Sequence, residues 1–367
     1  MPRYGLRRLI LLLLFPISFV AVMLAAKYPA LTERYFSQGL YAIIAPALTT
    51  LTGLFFVSIA ELALIVGVLS LILYTVRTIR IAMKDKTVRV YTVYTYVVNL
   101  LVLAAVLYGG FVFLCGLNYH RLPFAENAHL TVRESSSDEL VALCKDLAST
   151  ANRQAQFAIS GEDGTTVLSV SDFDTANTAV YAMKGISKDY PFMRGMYSVP
   201  KPFNLSPLLS YTHISGFYFP FTFEANYNTA IPDFYLPATM CHELAHQHGY
   251  MREDEANFIA YLACRNSQDA YFNYSGTLHA LSFAMQSLSK TDSETYQQIY
   301  ASLDDRIQAD FAAYNSFWNR HKGAVSQVST SVNNAYLKAN HQADGVQSYG
   351  RMVDLLLADY RQRHELA

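Results

Sequence analysis

The hydrophobic and polar positions divide this chain into two unlike parts. Leu9 to Ala26, Leu54 to Val76 and Tyr94 to Cys115 are apolar runs, with Glu61 the single acid in the second. Each is close to the roughly 20 residues that a helix needs to cross a bilayer core, so they predict three transmembrane helices. The first run could instead be a cleaved signal peptide, because Arg7 and Arg8 precede it and small residues follow. It is long for that purpose, and no A-x-A site closes it. Glu61 lies within two turns of the expected outer end of its helix, where it can reach water or a neighbouring hydroxyl; a role in proton or substrate handling is the alternative.

Beyond about Gly116 the pattern changes to that of a folded domain. Ser136 and Glu139 match a capping box, and Leu140, Leu143, Leu147 and Ala151 form an apolar stripe at helical spacing. A second helix is predicted from about Asp172 to Gly185. Short strands are predicted at Thr166 to Val170 and Gly216 to Phe223. Phe217, Tyr218, Phe219 and Phe221 in the latter suit either core or an edge strand that binds an extended peptide, with Glu224-Ala225-Asn226 ending it. Helical periodicity then dominates through Leu278 to Leu288, Glu294 to Leu303, Ile307 to Tyr314 and Met352 to Tyr360. The expected fold class is thus a membrane protein with three N-terminal transmembrane helices plus an α+β, mainly helical domain, divided into 1–116 and 117–367.

Composition agrees with this division. The 367 residues are 52% hydrophobic and 16% charged, and the mean hydropathy of +0.15 is high for a soluble protein. A net charge of −1 argues against a nucleic-acid partner. Basic residues set the expected orientation: Arg3, Arg7 and Arg8 flank the first run, and Arg77, Arg80, Lys84, Lys86 and Arg89 fill the second connection. The first connection holds only Lys27 and Arg34. By the positive-inside bias the N-terminus is cytoplasmic, and the chain after Gly116 is outside the cell membrane. Of four cysteines, Cys115 falls in a predicted span, which leaves Cys144, Cys241 and Cys264 outside; a Cys241–Cys264 bridge is one option and packed free thiols the other.

The candidate chemistry is in one stretch, His242-Glu243-Leu244-Ala245-His246, of the form H-E-x-x-H. On a helix, positions four apart share a face, so His242 and His246 can direct two imidazoles at one Zn²⁺ with Glu243 beside them as general base. Pro237 suits the first turn of such a helix, and Gly249 suits its left-handed end. Cys241 and His248 flank the motif out of register with the ligand face and read as structural. A second helix opens at Glu253-Asp254-Glu255, and Glu253 and Glu255 compete as third ligand. The order Glu253-x-x-x-Asn257 resembles the E-x-x-x-D helix of the glutamate zincins, which favours Glu253 as ligand and gives Asn257 the support of a histidine. Asn in place of Asp keeps an acceptor but brings no charge.

A wider resemblance runs through Tyr28-Pro29 to Glu33, Tyr35, Ser37 and Gly39, then Gly116-Leu117-Asn118-Tyr119 and Phe221 to Asn226. It continues through His242 to Gln247 and Glu253 to Phe258, and on to Tyr336-Leu337-Lys338, Gln342, Gly345 and Tyr349-Gly350-Arg351. In these residues the chain resembles an uncharacterised bacterial domain-of-unknown-function family of three-span membrane proteins with an outer H-E-x-x-H domain. The resemblance implies a zincin-like fold and a gluzincin-like hydrolase; no substrate comes with it. Zincins commonly add a downstream oxyanion donor. Tyr336, His341, Tyr349 and Arg351 form the pool, with Tyr349 preferred because Gly350 permits close approach. Two functions follow: a membrane-anchored zinc metallopeptidase acting on peptides or proteins outside the cytoplasm, or a non-catalytic receptor or scaffold for envelope components. Hydrolysis of a non-peptide amide shares the chemistry of the first.

Overall fold

Three helices are long and apolar enough to cross a membrane: α1 (Ile10–Lys27), α3 (Ile59–Lys84) and α4 (Arg89–Leu114). The structure is a computed structural model that describes residues 8–339 and 349–364. Asn99 on α4 ties the three together, accepting from Arg8 at 2.7 Å and donating to the Tyr74 hydroxyl of α3 at 2.7 Å. Such side-chain bonds substitute for the hydrophobic drive that lipid-facing helices lack.

The connection between α1 and α3 is folded, which the sequence did not signal. A π-helix (Thr32–Leu40) leads into α2 (Tyr41–Gly53). Both are held by the following domain: Glu33 accepts from Arg121, Tyr41 donates to the Gln247 carbonyl at 2.9 Å, and Ser37 bonds Asn118 at 2.8 Å. Glu61 of α3 accepts from the Asn204 and Leu205 backbone N–H groups at 3.1 and 2.8 Å and from the Asn204 amide at 2.8 Å. Its role is to anchor that loop, and it is not a lone intramembrane acid.

The part after α4 is mainly helical with one small sheet, a zincin-like architecture. The strands are β1 (Lys201–Phe203), β2 (Gly216–Phe219) and β3 (Glu224–Asn228), in the order β1-β3-β2, with β1 parallel and β2 antiparallel to β3. Two expectations are corrected here. The strand expected over Gly216 to Phe223 stops at Phe219, and Glu224-Ala225-Asn226 opens the central strand instead of ending the edge one. The turn between them includes Phe223 at a φ of 55°. Thr166 to Val170 is not a strand, and only Thr166 makes an isolated bridge, to Ser160. The reason is that carboxylates take its backbone donors: Asp310 binds Thr166 N–H at 2.7 Å and Asp233 binds Leu168 N–H at 3.0 Å.

The helices are α5 (Ser137–Ala155), α6 (Asp172–Gly185), α7 (Leu236–Gln247), α8 (Glu253–Arg265) and α9 (Ala270–Thr291). They continue with α10 (Ser293–Ala301), α11 (Asp305–Arg320), α12 (Ala324–Ala339) and α13 (Tyr349–Arg363). Both halves of the Ser136/Glu139 capping box are formed at α5. Every residue of α8 from Asp254 to Cys264 is buried, because α6, α7, α9 and α13 surround it. A helix covered on all sides needs apolar residues all round, which the Phe258 to Cys264 run supplies. The four cysteines are free, with Cys241 and Cys264 sulfurs 3.9 Å apart.

Candidate metal centre

The site is built on the turn between α7 and α8. Pro237 starts α7, and Gly249, at a φ of 92°, reverses the chain after it. A side chain there would be strained by that φ and would meet Asn118 at 3.0 Å and Tyr41 at 3.1 Å. The reversal brings the Tyr250 carbonyl to 2.7 Å from His246 Nδ1 and starts α8 at Glu253. Tyr250 O can only accept, so His246 Nδ1 carries the proton and Nε2 is the lone-pair nitrogen.

His242, His246 and Glu253 lie together, with one donor atom from each inside 4.8 Å of the others, and this cluster could hold a metal ion. His242 Nε2 is 3.3 Å and His246 Nε2 3.6 Å from the Glu253 carboxylate. Donors at zinc–ligand distances in tetrahedral arrangement would be about 3.4 Å apart, so the observed spacing fits. Glu255 points elsewhere, accepting from the Phe124 backbone N–H at 2.6 Å and from Arg252 at 2.7 Å. Burial tends to lower the His242 pKa, but the bond to Glu253 and the charges of Glu253 and Glu243 raise it overall. His246 is pushed down to about 4 by burial and by His242. Burial opposes the charge on Glu253, yet the two histidines hold its pKa below the usual carboxylate value. The cluster therefore presents a carboxylate among imidazoles, the charge pattern that a divalent cation completes.

Glu243 is buried beside these residues, and its Oε2 has no hydrogen-bond partner among the described residues. Burial, with a further push from Glu253, raises its pKa to about 8 although His242 and the Tyr218 N–H work in the opposite direction. That places it near neutrality, where a proton-transfer group works best. Gly216 of β2 makes room for it, because a Cβ there would be 2.8 Å from Glu243 Oε1.

β2 is an edge strand of the sheet. Asn228 N–H bonds Ser215 O at 2.8 Å, and alternation along an antiparallel pair then turns the backbone groups of Gly216 and Tyr218 away from β3. The same side carries a cavity of about 800 Å³ with His242, Glu243, His246 and Glu253 in its wall. Trp318, Val332 and Tyr336 also line it, as does Phe111 near the end of α4.

Two wall groups were not found by sequence reasoning. His279 of α9 bonds Asn257 Oδ1 through Nε2 at 3.1 Å and the Tyr235 hydroxyl through Nδ1 at 3.2 Å. Burial and the His242 charge hold it down to about 3, hence neutral. Asn257 also bonds His242, so its carbonyl oxygen serves both rings. A lone histidine in an apolar helix gives no spacing signal. Tyr119 is the other, its hydroxyl 2.8 Å from that of Tyr336, with burial raising the pKa of both so that they stay protonated. Its only signal was its place in the Asn118-Tyr119 pair. Among the expected oxyanion donors, Tyr336 lines the cavity, whereas Arg351 pairs with Asp254 at 3.6 Å. His341 and the side chain of Tyr349 lie outside the described residues.

The family model described as "Protein of unknown function (DUF3810)" matches residues 36–357. No curated protein and no solved structure matches the chain.

Proposed function

The chain belongs to the DUF3810 family, and on that premise we propose that it is a membrane-anchored zinc metallopeptidase that hydrolyses peptide bonds outside the cytoplasm. The observation that carries the reading is Glu243: a desolvated carboxylate with an unpartnered oxygen, directly beside a two-histidine, one-carboxylate cluster. A purely structural metal site has no use for such a group, because it closes all positions with ligands.

In this reading His242, His246 and Glu253 hold the ion, and the Tyr250 and Asn257 carbonyl oxygens keep both ring Nδ1 atoms protonated and the rings fixed. Bound there, zinc would supply Lewis acidity toward a carbonyl oxygen and a lowered pKa for water. Glu243 Oε2 takes the proton of the attacking water and passes it to the leaving amine. The outward-turned backbone groups of Gly216 and the Tyr218 carbonyl bind the substrate as an added strand, while the Tyr218 N–H holds Glu243. The Tyr336 hydroxyl, buttressed by Tyr119, donates to the oxyanion; we prefer this pair to Tyr349 because both line the cavity. The basic connection between α3 and α4 is cytoplasmic, which puts the N-terminus inside and the sheet and cavity outside.

The test is Glu243→Gln in the full chain. Zinc content should match wild type, while hydrolysis of a peptide library falls about 10²–10⁴-fold. Equal cleavage by both proteins would refute the base. Absence of cleavage by wild-type protein loaded with zinc would leave a metal-stabilised receptor as the function.

A further inference from the structure

The membrane contacts of the sheet lead further. The turn from β2 to β3 is wedged between two membrane helices. On one side Glu224 accepts from the first backbone N–H groups of α3, Ile59 at 3.1 Å and Ala60 at 2.6 Å. The buried Lys201 pairs with the same carboxylate and also donates to the Val57 carbonyl, so the junction is fixed. On the other side Phe221 packs on Gly110, where a Cβ would be 2.8 Å from the ring, about one helical turn before the end of α4. The approach to α3 is itself apolar and open: Leu54, Phe55, Phe56 and Val57 are all at least half exposed, as fits chain lying on a lipid surface.

The edge strand therefore has a fixed direction relative to the bilayer. Its Gly216 end is beside Glu243, and its Phe219 end leads into the turn held at the tops of α3 and α4. From Gly216 to Phe219 is about 10 Å of extended chain, and the turn closed by Thr222 N–H on Phe219 O then carries it to Phe221. A strand added along β2 would have one end at the metal cluster and the other at the membrane surface. Phe111, near the end of α4, borders the same cavity, so the path stays beside the bilayer.

We infer that the substrates are membrane-tethered polypeptides, cut within a few residues of the bilayer, where a soluble peptide would gain nothing from this placement. The inference rests on the metallopeptidase reading for the cut, but the position of the bound chain can be read without it. The substrate's tether remains in lipid while its first extracytoplasmic residues pair with β2. The bond facing Glu243 is thus selected by distance from the membrane as well as by side chains. A soluble peptide lacks that register and the raised local concentration at the surface.

The experiment uses the full chain in zinc-loaded proteoliposomes with a randomised decapeptide library presented in three ways. One copy is joined directly to a single membrane-spanning helix, one is joined through a flexible thirty-residue spacer, and one is free. Wild-type protein reports cleavage. Glu243→Gln carrying a photo-crosslinking benzoylphenylalanine in place of Val332, which lines the cavity, reports binding. The directly joined library should be cut at least ten times faster than the free one and faster than the spaced one, at sites about three to eight residues from the bilayer. It should also crosslink most. Crosslinking of the directly joined library without any cleavage would sink the hydrolase and leave the tethered ligand standing. Equal crosslinking of free and tethered libraries, or cuts scattered without regard to the membrane, would overturn the inference while leaving the hydrolase. No crosslinking of any library would overturn it as well.

Discussion

The buried ion pair Glu33–Arg121 should be one of the most sensitive points in the molecule. Arg121 donates to Glu33 through Nε at 2.9 Å and Nη2 at 2.7 Å, and the two side chains are 5% and 3% exposed. Glu33 also accepts from Gln38 at 2.9 Å, while the guanidinium packs 3.9 Å from the Tyr250 ring centre and reaches the His248 carbonyl at 3.5 Å. Glu33→Gln leaves a buried guanidinium without its counter-charge, a loss of about 3–5 kcal/mol. For a chain of 367 residues, with an unfolding entropy of about 2.1 cal/mol/K per residue, that corresponds to a fall in melting temperature of roughly 4–7 °C. Arg121→Met should cost a similar amount by stranding the carboxylate. The double variant should lose less than the sum of the two, because neither charge is then left alone. Thermal unfolding of the full chain in detergent, with zinc held constant, measures all three. Single variants melting within about 2 °C of wild type, or strictly additive losses, would refute the argument.

Glu253→Gln should release zinc, whereas Glu255→Gln should retain it and melt lower because it weakens bonds to Phe124 and Arg252; metal analysis with the reverse pattern would exchange their roles. Gly216→Ala should keep the metal yet reduce cleavage by about 10²-fold, since its Cβ displaces the base; unchanged kinetics would show that Glu243 moves freely. Glu139 is held down to about 2, above all by the Ser136 N–H, with Arg133 and Arg361 adding to it and burial working in the opposite direction. Its folded pKa is below its unfolded one, so its stabilisation is present above the ordinary value of 4.5 and disappears as pH falls through about 2. Denaturation midpoints of wild type and Glu139→Gln should therefore converge on acidification, and parallel profiles would contradict this. A reporter active only in the cytoplasm, fused after Ala367, should stay silent; a signal would reverse the proposed orientation.

Much of the architecture was legible because its signals are local. Continuous apolar runs gave the three long helices, Ser136 with Glu139 gave the start of α5, and the H-E-x-x-H spacing placed His242 and His246 on one helix face with Glu243 beside them. These depend on residues a turn or less apart, or on length alone, and need no knowledge of what packs against them. Tertiary structure decided the rest. Glu253 and Glu255 are equally polar in sequence, and only the Gly249 reversal, together with the Phe124 and Arg252 partners of Glu255, sorts them. Thr166 looks like a strand until Asp310, far along the chain, takes its N–H. His279 and Tyr119 enter the cavity wall from elements distant in sequence, and the folded segment between α1 and α3 owes its order to Arg121, Asn118 and Gln247. Each of these is a hydrogen bond or ion pair between groups whose separation along the chain carries no periodicity. The sequence alone therefore determined which helices form and which chemistry they carry, while long-range polar partners determined which groups share the site and how it is tied to the long apolar helices.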